Sequence, residues 1–290
     1  MCNVATVINF CSNDYPFLAH AIKNASAFSS QIIISVCDHF FDGVKENKEL
    51  LNQIYLEHPE CQFIEFAYDK EKNLYGSHSV SYWHNLGRML GVYFLDESIE
   101  YVLFLDADEI VESDRFCKWL SSFPLTYEAM RFSCYWYFRA SSFQAKTLED
   151  SAFLVKKSVL TGDILMHPHE REGCFQGIKG NKMRQVDGLD ALPLFHHYSW
   201  VRTKEQMLRK VLSWGHNGER DWVSLVEEEF LQPFKGKDFV HGYTFQEVKP
   251  FVEIDLMKKP YLQKAQNPQN VRRVETDEIH KIDLTLRFLR

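Results

Sequence analysis

Residues 101–111 read Tyr101-Val102-Leu103-Phe104-Leu105-Asp106-Ala107-Asp108-Glu109-Ile110-Val111. Five apolar residues running into an acidic cluster match a buried strand that surfaces at its carboxyl end. Two carboxylates spaced two apart at such an end can offer oxygens to Mg²⁺ or Mn²⁺, with a diphosphate completing the shell. A D-x-D triplet is common by chance, so its weight depends on what precedes it.

Upstream, short apolar runs alternate with helical patterns. Val4–Phe10 reads as a buried strand, followed by the turn cluster Cys11-Ser12-Asn13-Asp14 and by Pro16 at an early helical position. Phe17, Leu18, Ala21, Ile22 and Ala25 then recur at helical spacing. Gln31–Cys37 is a second strand and Gln62–Tyr68 a third, with a helix expected over about 45–58 between them. A further helix over 79–95 carries a stripe through Val80, Trp83, Leu86, Leu90 and Phe94. Asp106 thus ends the fourth of four alternating strands. This order predicts an α/β fold with a mainly parallel central sheet flanked by helices, in which ligands collect beyond the strands' carboxyl ends. Polar clusters at Asn9–Asp14, Asp38–Asp42 and Asp106–Glu109 fall at those ends.

The second half is less regular. Ala129–Phe138, Ala152–Lys156 and Leu192–Tyr198 read as strands, and 170–188, rich in charge and Gly, as a loop. Thr203 and Gln206 have capping-box spacing ahead of a short helix that stops near Gly215. The reading divides the chain into a core domain at 1–218 and an appended helical or irregular segment at 219–290.

Composition narrows the function classes. The net charge of −7 argues against a nucleic-acid partner, which needs a concentrated basic face. Seven Cys without a C-x-x-C pair fit reduced thiols, and the apolar runs are too short for a transmembrane span. The start lacks the basic region of a signal peptide, so a cytoplasmic protein is expected, with peripheral membrane association open. Aromatic residues reach 14%, and they supply flat surfaces for bases or sugar rings as well as core.

The pattern resembles the GT-A glycosyltransferases, in particular the bacterial family 2-like members, over about residues 4–120. Val7-Ile8-Asn9-Phe10 before Ser12-Asn13-Asp14, Val36-Cys37-Asp38 with Asp42-Gly43, His84-Asn85-Leu86-Gly87-Arg88 and Leu105-Asp106-Ala107-Asp108-Glu109 carry the resemblance. It implies a nucleotide-sugar fold that transfers a hexose-type group from a nucleoside-diphosphate sugar, a UDP-sugar first, to a hydroxyl acceptor. Asn9, Asp38, Asp106 and Asp108 would hold the donor, and Asp106 and Asp108 the metal.

The resemblance also implies a downstream histidine ligand. His196 and His197 qualify; strand alternation turns one ring in and the other out, and His196 is taken as the ligand. An inverting enzyme needs a carboxylate base, for which Glu170 is chosen over Asp163; a retaining enzyme needs neither. His167 and His169 with His196 form a weaker zinc reading, without an H-E-x-x-H pattern. Gln206-Met207-Leu208-Arg209-Lys210 partly matches the Q-x-x-R-W element of processive synthases but lacks the Trp. A glycan, lipid-linked or protein acceptor all remain open. The alternatives are a non-catalytic scaffold that binds carbohydrate or protein and, behind it, a sugar-phosphate nucleotidyltransferase. The latter would carry Gly and Lys after the first strand, where Asn9–Asp14 has neither.

Overall fold

The computed structural model describes residues 3–69, 78–123, 126–261 and 267–288. The expected first strands form: β1 (Val4–Phe10), β2 (Ser29–Cys37), β3 (Gln62–Phe66) and β4 (Tyr101–Asp106). Between them lie α1 (Tyr15–Ala25), α2 (Lys48–Glu57) and α3 (His78–Tyr93); the side chain of Val80, expected in the α3 stripe, lies outside the described residues. β1 is buried along its whole length, which is why its residues are mainly apolar, with Thr6 and Asn9 as the exceptions.

The chain continues through β5 (Glu109–Val111), α4 (Ser113–Ser122), β6 (Ala129–Phe138), β7 (Ala140–Ala145) and β8 (Glu149–Lys156). Next come α5 (Gly162–Leu165), α6 (Glu170–Gly177), β9 (Lys182–Val186), β10 (Phe195–Trp200), α7 (Lys204–Ser213) and α8 (Trp222–Glu229). β11 (Phe245–Glu247), β12 (Val271–Val274) and α9 (Thr276–Phe288) finish it. The described strands make one mixed sheet in the order β11-β7-β6-β8-β4-β1-β2-β3-β12. The run β4-β1-β2-β3-β12 is parallel, and antiparallel pairing begins at β8. β10 bridges β5 and β6.

Alternation along the strands sends side chains to two cores. Val4, Ile8 and Phe10 pack with Leu18 and Ile22 of α1, Leu51 and Ile54 of α2, and Phe116 and Trp119 of α4. Ala5 and Val7 face α3 through Leu86, Met89 and Leu90, in a core that also takes Phe175 of α6 and Ile279 of α9.

Two expectations are corrected. The stretch 170–188 is not a loop, because Cys174, Phe175 and Ile178 bury a short apolar stripe and β9 pairs with β6. Nor does the sheet break at 218/219. β11 lies antiparallel to β7 at one edge and β12 parallel to β3 at the other, so the last segment closes both edges of the same sheet. β11 and β12 thereby become the edge strands, both short, and the exposed arginines of β12 discourage further pairing. Among the described residues no helix is long and apolar enough to cross a membrane.

Gly91 shows how closely α3 is pressed onto β1: a Cβ there would lie 2.4 Å from Cγ1 of buried Val7. Gly91→Ala is expected to destabilise the fold by about 1–3 kcal/mol in urea denaturation, as over-packing does. Gly218→Ala, where nothing lies within 4 Å, is the control and is expected to change little.

Candidate functional site

Register builds the floor of the site. The parallel pairing places Asn9 between Asp106 on β4 and Ser35 on β2. Asn9 Nδ2 donates to the His84 carbonyl at 2.9 Å, and Ser35 Oγ donates to the Gly87 carbonyl at 2.6 Å. A Cβ at Gly87 would meet Asn9 Oδ1 at 2.8 Å, so the glycine lets α3 sit against the strand ends. His84 and Arg88, one helical turn apart, thereby reach the D-x-D segment.

Every carboxylate of that segment is met by a cation. Asp106 accepts from Arg88 Nη2 at 3.2 Å and from Arg171 Nη2 at 2.9 Å, and Arg171 Nη1 bonds Glu109 Oε2 at 2.6 Å. Glu109, fully buried, also accepts from the Asp106 amide at 2.9 Å, which folds the turn after β4. Asp108 Oδ2 receives Arg202 Nη2 at 2.8 Å and Lys210 Nζ at 3.4 Å, while Oδ1 faces His197 Nε2 at 3.6 Å. Burial favours the protonated form of both aspartates. Arg171 and Arg88 outweigh it at Asp106, and Lys210, His197 and Arg202 outweigh it at Asp108, so both stay below the usual carboxylate range. Burial likewise opposes charge on His197, but Asp108 holds its pKa well above that of a free imidazole.

Above this floor opens a cleft of about 290 Å³. Asp106, Asp108, His197 and Lys210 form its charged part, and Phe40, Phe41 and Trp83 its flat part. Ser213, Trp214 and His216, at and just beyond the end of α7, complete the lining. Phe41 is held edge-on to His84 at 4.7 Å, and Trp83 packs on Tyr68 at 4.7 Å.

Asn9, Asp106, Asp108 and Glu170 line the cleft. Glu170 adopts a left-handed backbone (φ 48°), uncommon for a residue with a Cβ, and its carboxylate lies 3.5 Å from Arg88 Nη1. Burial raises its pKa, but His84 and Arg88 together hold it below the ordinary value, so it is an ionised carboxylate. Asp163 is exposed on α5 and outside the cleft lining. Asp38 is not in the lining either; it staples its own loop, accepting from the Tyr68 amide at 2.8 Å and pairing with His39 at 2.7 Å.

His197, and not His196, lines the cleft. His196 turns away from the cleft, bonded to Tyr137 Oη at 2.7 Å and Glu112 at 3.0 Å and stacked on Phe251 at 4.4 Å. Alternation along β10 then turns His197 inward. Among the described residues no three His, Cys, Asp or Glu side chains converge as a metal cage, and His167 and His169 form no zinc site with His196. The sequence reading assigned no role to Arg171, Arg202, Lys210 or the Phe40–Phe41 pair. Arg202 precedes the capped start of α7 and Arg88 follows His84 by four; those were the available signals.

No protein-family model and no curated protein matches the chain. Among solved structures it is similar to the 4-diphosphocytidyl-2C-methyl-D-erythritol synthase of Anaerococcus prevotii DSM 20548, with TM-score 0.42 and 9% identity over 72% of this chain and 94% of that one. It is also similar to the glycosyltransferase GlyE of Streptococcus pneumoniae TIGR4, with TM-score 0.38 and 15% identity over 80% of this chain and 64% of that one. A third is the catalytic domain of Drosophila β1,4-galactosyltransferase 7, with TM-score 0.30 and 10% identity over 67% and 70%. The similar structures include nucleotidyltransferases, a putative nucleotide-diphospho-sugar transferase and glycosyltransferases, and the likeness is one of fold alone.

Arg202 neutralises two acids at once, Asp108 and Asp14, the latter at 2.7 Å. Arg202→Met leaves both without their guanidinium and is expected to cost about 3–5 kcal/mol in chemical denaturation, the usual penalty for breaking a buried pair from one side.

Proposed function

We propose that the protein transfers a sugar from a nucleoside-diphosphate sugar to a hydroxyl acceptor. The observation that carries this reading is the meeting, in one cleft, of a flat aromatic wall with Asp106, Asp108, His197 and Lys210. A nucleoside diphosphate has both parts, a planar base and a multiply charged tail. Phe40 and Phe41, both half-buried, suit the first by stacking. Lys210, on the cleft wall, suits the second as a charge-assisted donor.

Asp108 Oδ1 and His197 Nε2 suit a divalent cation such as Mn²⁺ or Mg²⁺, which would displace the proton that His197 holds toward Asp108. They face each other on the cleft wall, and the Arg202 and Lys210 contacts of Asp108 both fall on its other oxygen. Two protein ligands leave the remaining positions to diphosphate oxygens and water. Asp106, with both oxygens held by Arg88 and Arg171, orients the floor and sits beside Asn9 for a ribose hydroxyl. When bound, the metal supplies charge neutralisation to the departing diphosphate. Glu170 is the ionised carboxylate placed for the acceptor. It takes the hydroxyl proton as that oxygen bonds to the anomeric carbon, and the bond from that carbon to the diphosphate breaks with its electron pair leaving on the diphosphate.

Purified protein is to be incubated with UDP-, GDP- and dTDP-sugars in Mn²⁺, Mg²⁺ or EDTA, and nucleoside diphosphate release measured. Release with one donor class, abolished by EDTA, is expected. Asp108→Asn and His197→Ala are expected to lower it roughly 10²-fold or more, and Glu170→Gln by about 10²–10⁴-fold if configuration is inverted. Asp163→Ala is expected to retain activity. No release with any donor contradicts the reading; nucleotide binding without turnover favours a binding scaffold instead.

A further inference from the structure

Phe40 and Phe41, which wall the flat part of the cleft, are carried on a hairpin fixed at both ends. Residues 38–46 turn back on themselves through Phe40 N to the Val44 carbonyl at 2.7 Å and Glu46 N to the Asp38 carbonyl at 3.0 Å, with Gly43 at φ 84° in the turn. Both ends are anchored. Asp38 bonds the Tyr68 amide, and Glu46 accepts from the Ser12 amide at 2.8 Å and from the Ser12 hydroxyl. The tip, Phe40 to Val44, has one charged tie across the cleft. Asp42 pairs with Arg209 of α7, 167 residues away in sequence, and the same guanidinium lies 4.5 Å over the Phe40 ring.

Arg209 adjoins Lys210, whose ammonium reaches Asp108 at the cleft floor. α7 therefore touches the charged part of the cleft with one residue and the hairpin that walls its flat part with the next. The helix itself is fixed at its start. Thr203 and Gln206 form the capping box found there, and the Gln206 carbonyl accepts from Asn13 Nδ2 at 2.9 Å. A rigid helix with a hinged hairpin clasped to it has the form of a latch.

We infer that Arg209 is a positioning residue that latches the Phe40–Phe41 hairpin closed over the nucleoside, so that the Asp42–Arg209 pair must open for a nucleotide to enter or leave. This rests on the donor reading of the cleft. Arg209 acts through Asp42 and Phe40, not on the reacting atoms, so loss of the latch affects donor retention more than the chemical step.

The test combines a readout that needs no ligand with one that does. Hydrogen exchange of the Phe40, Gly43 and Glu46 amides is measured in the free protein for wild type, Arg209→Met, Asp42→Asn and the double variant. Each single substitution is expected to speed exchange by about tenfold, and the double variant to add nothing, since both remove the same tie. Stopped-flow dissociation of UDP, GDP and dTDP is then followed in the same four proteins, with donor KM and kcat beside it. The singles are expected to raise the off-rate and the donor KM about tenfold without lowering kcat. Unchanged exchange contradicts the latch itself. Faster exchange with an unchanged off-rate shows that the hairpin does not hold the nucleotide and overturns the inference. Wild-type protein that binds none of the nucleotides contradicts the donor reading and the latch's role together, and is distinguished by the wild-type arm alone.

Discussion

One buried guanidinium ties the active half of the molecule together. Arg202 is 1% exposed and bonds the Ser199 carbonyl, the Asn13 carbonyl, Asp14 and Asp108, so β10, the turn after β1 and the D-x-D segment share one cation. An arginine buried so completely is costly unless each face of its planar fork is satisfied, and here the partners come from three distant parts of the sequence. Arg202 also lies just before the capped start of α7. The orientation of that helix, with Lys210 at the floor and Arg209 at the hairpin, follows from where the guanidinium is pinned.

The same logic runs through the rest of the cleft. A chain with net charge −7 gathers Arg88, Arg171, Arg202 and Lys210 around Asp106, Asp108 and Glu109. Acids that close together repel one another, and compensation from the helices and the β10 end lets them remain ionised in a buried setting. Of the four, Lys210 lines the cleft, where its ammonium is already oriented by Asp108. Bulk charge says nothing of this, because the local field is set by a handful of fixed groups.

The parallel half was legible in the sequence for a physical reason. β1 and β4 are buried almost throughout and so are mainly apolar, as is the buried part of β2, and the capping box of Thr203 and Gln206 appeared where spacing placed it. The edges were not legible. β12 is Val271-Arg272-Arg273-Val274, whose central arginines are exposed at the sheet edge, and nothing local marks it as a strand. α6 hides its apolar stripe among charges that pair with other elements, as Arg171 does with Asp106 and Glu109. Alternation announced that His196 and His197 point to opposite sides. Which one faces the cleft depends on Tyr137 and Glu112, and those partners become neighbours only through the pairing of β10 with β5 and β6. Asp38 lies outside the cleft lining, where the Tyr68 amide, 30 residues on, and His39 both engage its Oδ1.

The central claim is that the cleft holds a nucleoside diphosphate whose charged tail and the Asp108–His197 pair share a divalent cation. The most direct measurement is a crystal structure with Mn²⁺ and the cognate nucleoside diphosphate, with anomalous diffraction recorded at the manganese edge. One anomalous peak is expected within coordination distance of Asp108 and His197, with diphosphate oxygens on its open side and the base against Phe40 or Phe41. A nucleotide bound in the cleft with no anomalous peak beside Asp108, or a peak held by His196, would contradict the account.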